Sequence, residues 1–263
     1  MNSLKFVFLL GIVICLPLYG FLCVTALDPV TASFTVSNNL TLALYGAWIA
    51  VPLLLMLVAA IRKKRLSFSI SNSKILGVFA LGVGILMLAS SFPHVMTLKA
   101  MYDNGVVPIS SMIMAVAQVP VSVISSFVFI KLGISYFREN ITNRGSASFV
   151  FPLIWALITC VEMFREYPQI AGMPERMLYL LFLLSFTLFQ IGHSRILGYA
   201  DVQKGIRWSA CFGYTAALFG FCLTVGEGAA FRIMSLPLFD FALAFVLSCY
   251  CLFFAINTSI EKK

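Results

Sequence analysis

Charge is what this sequence has least of. Asp, Glu, Lys and Arg together supply 11% of its 263 residues, against the roughly 25% usual for a soluble domain. Hydrophobic residues reach 61% and the mean hydropathy is +0.99. A surface so poor in charge cannot be kept wet, which excludes a water-soluble enzyme, a nucleic-acid-binding domain and a disordered tail. Histidine is nearly absent, with His94 and His193 far apart in the chain, so a haem or multi-histidine metal centre is not expected. There is no HExxH, GxSxG, Walker loop or paired-acid signature of prenyl transfer. The seven cysteines form no CxxC pair, and all fall inside apolar runs. They read as small hydrophobes rather than as a disulfide framework or metal ligands, and no cofactor is expected.

What the sequence has is long uncharged runs. Crossing about 30 Å of hydrocarbon at about 1.5 Å per residue takes roughly 20 apolar residues. Eight runs qualify: Lys5–Ala26, Leu40–Ile61, Ile75–Phe92, Ser111–Phe137, Ala147–Arg165, Met177–Ser194, Trp208–Glu227 and Leu236–Asn257. They are too long and too evenly apolar for barrel strands. The short segments between them carry most of the Gly, Pro, Asn and charged residues, leaving no room for a separate soluble domain. The expectation is an all-α, polytopic transmembrane helical bundle occupying residues 1–263 as one domain. The first run also resembles a secretory signal, with small residues at Val24-Thr25-Ala26. It exceeds the 7–15 apolar residues usual for such signals, so it is read as a retained span.

Lys and Arg are retained on the cytoplasmic side of membrane proteins. With Met1 inside, the inner side holds Lys5, Arg62, Lys63, Lys64, Arg65, Lys74, Lys131, Arg138, Arg144, Arg195, Lys204, Arg207, Lys262 and Lys263. Lys99, Arg165, Arg176 and Arg232 fall outside. The bias predicts both termini inside, and it turns the net charge of +8 into a topology signal with some attraction for anionic lipid. The expected residence is the plasma membrane.

Under this topology several polar groups gather in the outer half. Glu162 lies about one turn inside the fifth span, and Arg165 and Glu166 share its helix face. An intramembrane carboxylate is costly unless paired and commonly marks a function; the alternative is an ion pair that fixes helix depth. Asp240 lies about one turn below the outer end of the last span, with Glu227 and Arg232 close by in sequence. His94 closes the third span. Gln118 is strongly polar within the fourth span, and Pro120 removes a backbone hydrogen bond there, making it a candidate hinge. These residues could line one outward-facing pocket, or could be the charges that helix ends always collect. At the other side His193 reads either as a pH-responsive group or as an interfacial anchor. Ala80/Gly84 and Ala216/Gly220, small residues four apart, predict close helix packing in spans three and seven.

The stretch from Pro152 to Gly220, with Pro152-Leu-Ile-Trp155, Glu162-Met-Phe-Arg165-Glu-Tyr167, Leu188-Phe189 and Arg195 before Gly198, resembles a group of uncharacterised bacterial eight-span membrane proteins. The resemblance covers about the C-terminal half. It implies the same fold and draws attention to Glu162, Arg165 and Arg195, and it implies no reaction, substrate or cofactor.

The functional expectation is a non-enzymatic protein that binds, senses or translocates a small ligand. Glu162, Asp240, Gln118, Glu227, Arg165 and Arg232 are its contacts and Pro120 its flexible point. Its partners are membrane lipid and a small molecule, with no nucleic acid. Two alternatives stand beside it: a structural or assembly subunit bound to a membrane partner, and an intramembrane hydrolase using Glu162 or Asp240.

Overall fold

The structure, a computed structural model, describes residues 3–28, 33–34, 39–61, 66–68, 73–104, 109–138, 146–165, 173–229 and 238–261. The apolar runs form helices because hydrocarbon leaves backbone N–H and C=O groups no partner but one another. In chain order these are α1 (Ser3–Thr25), α2 (Asn39–Ile61), α3 (Ser73–Asn104), α4 (Ile109–Phe137), α5 (Val150–Arg165), α6 (Pro174–Leu197), α7 (Val202–Ala229) and α8 (Leu238–Thr258). Among the described residues, seven of these are long and apolar enough to cross a membrane. The exception is α5, whose 16 residues follow directly on a 3-10 turn at Ser146–Phe149. The chain is thus an apolar helical bundle of the kind expected of a multi-pass membrane protein.

Two helix limits differ from those expected. The third helix does not stop at Phe92 but runs through Pro93 and His94 to Asn104. Proline is tolerated within membrane helices where neighbouring groups re-satisfy the backbone, and Pro17, Pro52 and Pro120 likewise sit within helices. The seventh begins at Val202, well before Trp208. Its first turns carry Lys204 and Arg207, which a search for uncharged runs leaves out although a helix emerging into water accommodates them. The α6–α7 turn is tight: Gly198 and Ala200 donate to the carbonyls of Ser194 and Arg195 at 2.8 and 3.0 Å. Tyr199 and Asp201 adopt φ of 55° and 54°. Asp201 then caps α7, its Oδ1 accepting the Lys204 N–H at 3.4 Å.

Burial rises toward α7. In its most apolar window 78% of residues are buried, against 33% in α1 and 28% in α2. It packs against α1, α2, α6 and α8. Phe8 of α1 reaches Tyr214 with ring centroids 4.9 Å apart. On the far side of α8 lie α3 and α4, and α5 fills the space between α4 and α6. The many exposed large side chains, Val13, Leu42, Ile61 and Phe127 among them, are ordinary for a surface facing lipid.

Both small-residue pairs lie on contact seams. A Cβ built at Gly84 would stand 2.6 Å from Ile130 Cγ1 and 2.9 Å from the Ser126 carbonyl of α4. One at Gly220 would collide with Ser248 of α8. Ala80 and Ala216 are fully buried.

A two-residue strand β1 (Leu66–Ser67), in the α2–α3 connection, pairs antiparallel with β2 (Ile260–Glu261), which follows α8. The same end of the bundle holds the α6–α7 turn, since Phe68 of that connection meets Phe254 at 5.6 Å and Phe254 meets His193 at 4.6 Å.

Gly84→Val is expected to lower stability by about 1–3 kcal/mol by overpacking the α3–α4 seam, read as a lower melting temperature in detergent. Gly46→Ala, where nothing lies within 4 Å of the added carbon, is expected to stay within about 0.5 kcal/mol of the parent.

Candidate functional site

At the end of the bundle away from the β1–β2 pair lie three of the residues singled out in the sequence, Gln118, Glu162 and Asp240. Gln118 of α4 is buried, at 1% exposure, and its Nε2 donates to Thr159 Oγ1 of α5 at 2.8 Å. The Thr159 hydroxyl donates in turn to the Trp155 carbonyl at 2.9 Å. Gln118 Oε1 is buried with no hydrogen-bond partner among the described residues. Glu162 lies three residues beyond Thr159, on the same face of α5, and is half-buried. Tyr179 of α6, a helix that packs against α5, is 4% exposed. Asp240 stands in the first turn of α8, half-buried.

The end of the bundle opposite the β1–β2 pair therefore carries polar groups from four helices: α4 through Gln118, α5 through Thr159 and Glu162, α6 through Tyr179 and α8 through Asp240. Its chemistry is rich in acceptors, with two carboxyl groups and an amide oxygen. Tyr179 was not singled out in the sequence. Its position one turn after Glu175, opening an aromatic and aliphatic stretch of α6, gave no sign of a polar role.

The remaining candidates stand apart from this region or are only partly defined. Pro120 is on the exposed side of a continuous α4, two residues from Gln118. Arg165 and Glu227 fall in the last turns of α5 and α7, with side chains outside the described residues; Arg232 and Glu166 lie outside them altogether. His94 lies within α3, half-buried.

A second polar cluster lies in the other half of the bundle, and the sequence reading missed it. His193 is fully buried within the bundle. Its Nε2 is 2.7 Å from the Tyr250 hydroxyl of α8, which is 3.4 Å from the Tyr136 hydroxyl of α4. Both tyrosines are also fully buried. Phe149, Phe189 and Phe254 pack around the imidazole at 5.0, 5.5 and 4.6 Å. Nearby in sequence, Gln190 is 1% exposed, and its amide O and N are buried without a hydrogen-bond partner among the described residues. The burial of His193 was missed because Arg195 and the α6–α7 turn follow so closely. The better signal was the spacing of Phe182, Phe186, Phe189 and His193, which puts the imidazole in line with an aromatic stripe stacked along α6.

Among the described residues no group of three or more His, Cys, Asp or Glu is placed to hold a metal ion. All seven cysteine side chains are buried. Compared with known proteins, the chain matches no family model, no curated protein and no solved structure.

Tyr250→Phe is expected to destabilise the bundle by about 1–3 kcal/mol, because it leaves the buried His193 nitrogen without a partner. Adding His193→Leu should recover part of that loss, since removing both partners is milder than removing one. Melting temperatures of the two single variants and the double variant in one detergent read this directly, and strict additivity would count against the pairing.

Proposed function

We propose that the chain is an eight-crossing protein of the plasma membrane, with both ends in the cytoplasm. It binds a small polar ligand through an outward-facing site built on Glu162, Asp240, Gln118 and Tyr179. The single observation that carries the binding reading is the buried Gln118 amide oxygen, which has no hydrogen-bond partner among the described residues, beside Thr159 on the face of α5 that also carries Glu162. Ionisable groups inside a membrane bundle commonly mark a function, and a hydrogen-bond-donating ligand satisfies that oxygen. Arg165, Glu227 and Arg232 belong by sequence to the rim of this site, and Pro120 is its proposed flexible point.

The eight crossings are supported by the segregation of Lys and Arg and by the pairing of β1 with β2. Strands that pair lie on one side of the membrane, so the chain between them crosses an even number of times. The helices between them are α3 to α8, and in this proposal all six cross. For α5 this works because the 3-10 turn extends it: together they reach about 32 Å, against the roughly 30 Å of hydrocarbon.

Binding rather than catalysis is favoured because the region offers acceptors without an activated nucleophile or a metal ligand set among the described residues. The test is a melting-temperature screen of the purified chain against amines, amino acids and monovalent cations. A ligand present at 100 times its dissociation constant stabilises by about 2.7 kcal/mol, a readily measured rise. Glu162→Gln combined with Asp240→Asn is expected to abolish the rise while leaving the unliganded protein folded. A double variant that responds to the same ligand as fully as the parent would contradict the proposal.

A further inference from the structure

A cleft of about 690 Å³ opens between α2, α6 and α7 beside the α6–α7 turn. Arg195, Lys204, Arg207 and Trp208 line its polar part. Met56, Leu188 and Phe212 line its apolar part. Its size falls within the range of ligand-binding clefts, about 300–1,000 Å³. It is distant from the site proposed above: Tyr179 and Arg195 are 16 residues apart on α6, about 24 Å along the axis.

The charges are organised rather than scattered. The Arg195 guanidinium lies over the Trp208 ring, 5.7 Å from its centroid, which holds a long side chain in one place. Arg207 donates from Nε to the Gln203 carbonyl at 3.4 Å. Asp201 is the acid facing these groups; it pairs with Lys204 at 2.9 Å and is within reach of Arg195. The hydrogen bond from Lys204 holds the Asp201 carboxyl below its ordinary pKa, so it stays ionised and offsets one cation, leaving two. Lys204 and Arg207 also stand in the opening turns of α7, the end of a helix where its dipole disfavours cations and its backbone N–H groups favour anions. An anion in the cleft relieves both.

We propose that this cleft binds an anionic phospholipid, its phosphate against Arg195 and Arg207 and part of an acyl chain along Met56, Leu188 and Phe212. A free anion would use the cations but leave the apolar wall unmatched. A phospholipid matches both, and Met56, 46% exposed, places that wall at the lipid-facing surface.

The test uses the full chain purified in detergent, incubated with phosphatidylglycerol or phosphatidylcholine and examined by native mass spectrometry. The chain is expected to retain phosphatidylglycerol at least ten times more readily than phosphatidylcholine. Arg195→Gln combined with Arg207→Gln should reduce retention about ten-fold. Arg138→Gln, which removes an exposed cation outside the cleft, should leave it unchanged. Ala60→Trp, at an exposed position on the cleft wall, fills the apolar part with every cation in place and should also lower retention. Equal loss on Arg138→Gln would reveal general surface charge and overturn the proposal. So would unaltered retention in the double variant or in Ala60→Trp, or displacement of the lipid by millimolar inorganic phosphate.

Discussion

Every feature of this protein depends on the requirement that a backbone in hydrocarbon satisfy its own hydrogen bonds. Water cannot take the place of a missing partner there, so the apolar runs have one economical solution, the helix. Once they are helices, hydrophobicity no longer distinguishes inside from outside, since lipid is as apolar as leucine. What then orders the bundle is close packing at small residues and polar contact between helices. Both are visible here: Gly84 against Ser126 and Ile130, Gly220 against Ser248, and the His193, Tyr250 and Tyr136 chain linking α6, α8 and α4.

The arrangement of helices follows from that division of labour. The helix richest in small and polar residues, α7, is also the most enclosed, and α1 and α2, the most apolar by mean hydropathy, lie outermost. Polar side chains buried in the membrane occur where two or more helices meet. Gln118 meets Thr159 across the α4–α5 contact. The two proposed sites occupy opposite ends of α6 and answer to opposite charges, with acids at the Tyr179 end and cations around Trp208. The two proposals can thus be tested separately.

Much of this was legible in the sequence, for physical reasons. Apolar runs announce spans because their length is set by the bilayer, and the four-residue spacing of small residues announces seams because it is the helical repeat. Helix ends were less legible: Pro93 looks like a stop, and Lys204 and Arg207 look like a loop, but each lies within a helix. Gln118, Glu162 and Asp240 were read as candidates for one pocket from their shared depth; which of them face one another depends on helix rotation, which uniformly apolar sequences do not encode. The burial of His193 was obscured by the cation two residues away. The cationic cleft could not be read at all, because its walls come from residues 56–60, 188–195 and 204–212, which become neighbours only when α2 packs against α7.

The central claim, an even number of crossings between the α2–α3 connection and the chain beyond α8, is tested most directly by cysteine accessibility. The seven native thiols are buried and give little background. Lys64→Cys and Lys262→Cys are introduced singly, beside the exposed Tyr102→Cys at the far end of α3, and intact cells are treated with a membrane-impermeant maleimide. The account predicts that Tyr102→Cys is labelled from the medium and that the other two are labelled only after the membrane is permeabilised. Labelling of Lys262→Cys in intact cells, with Lys64→Cys protected, would contradict it.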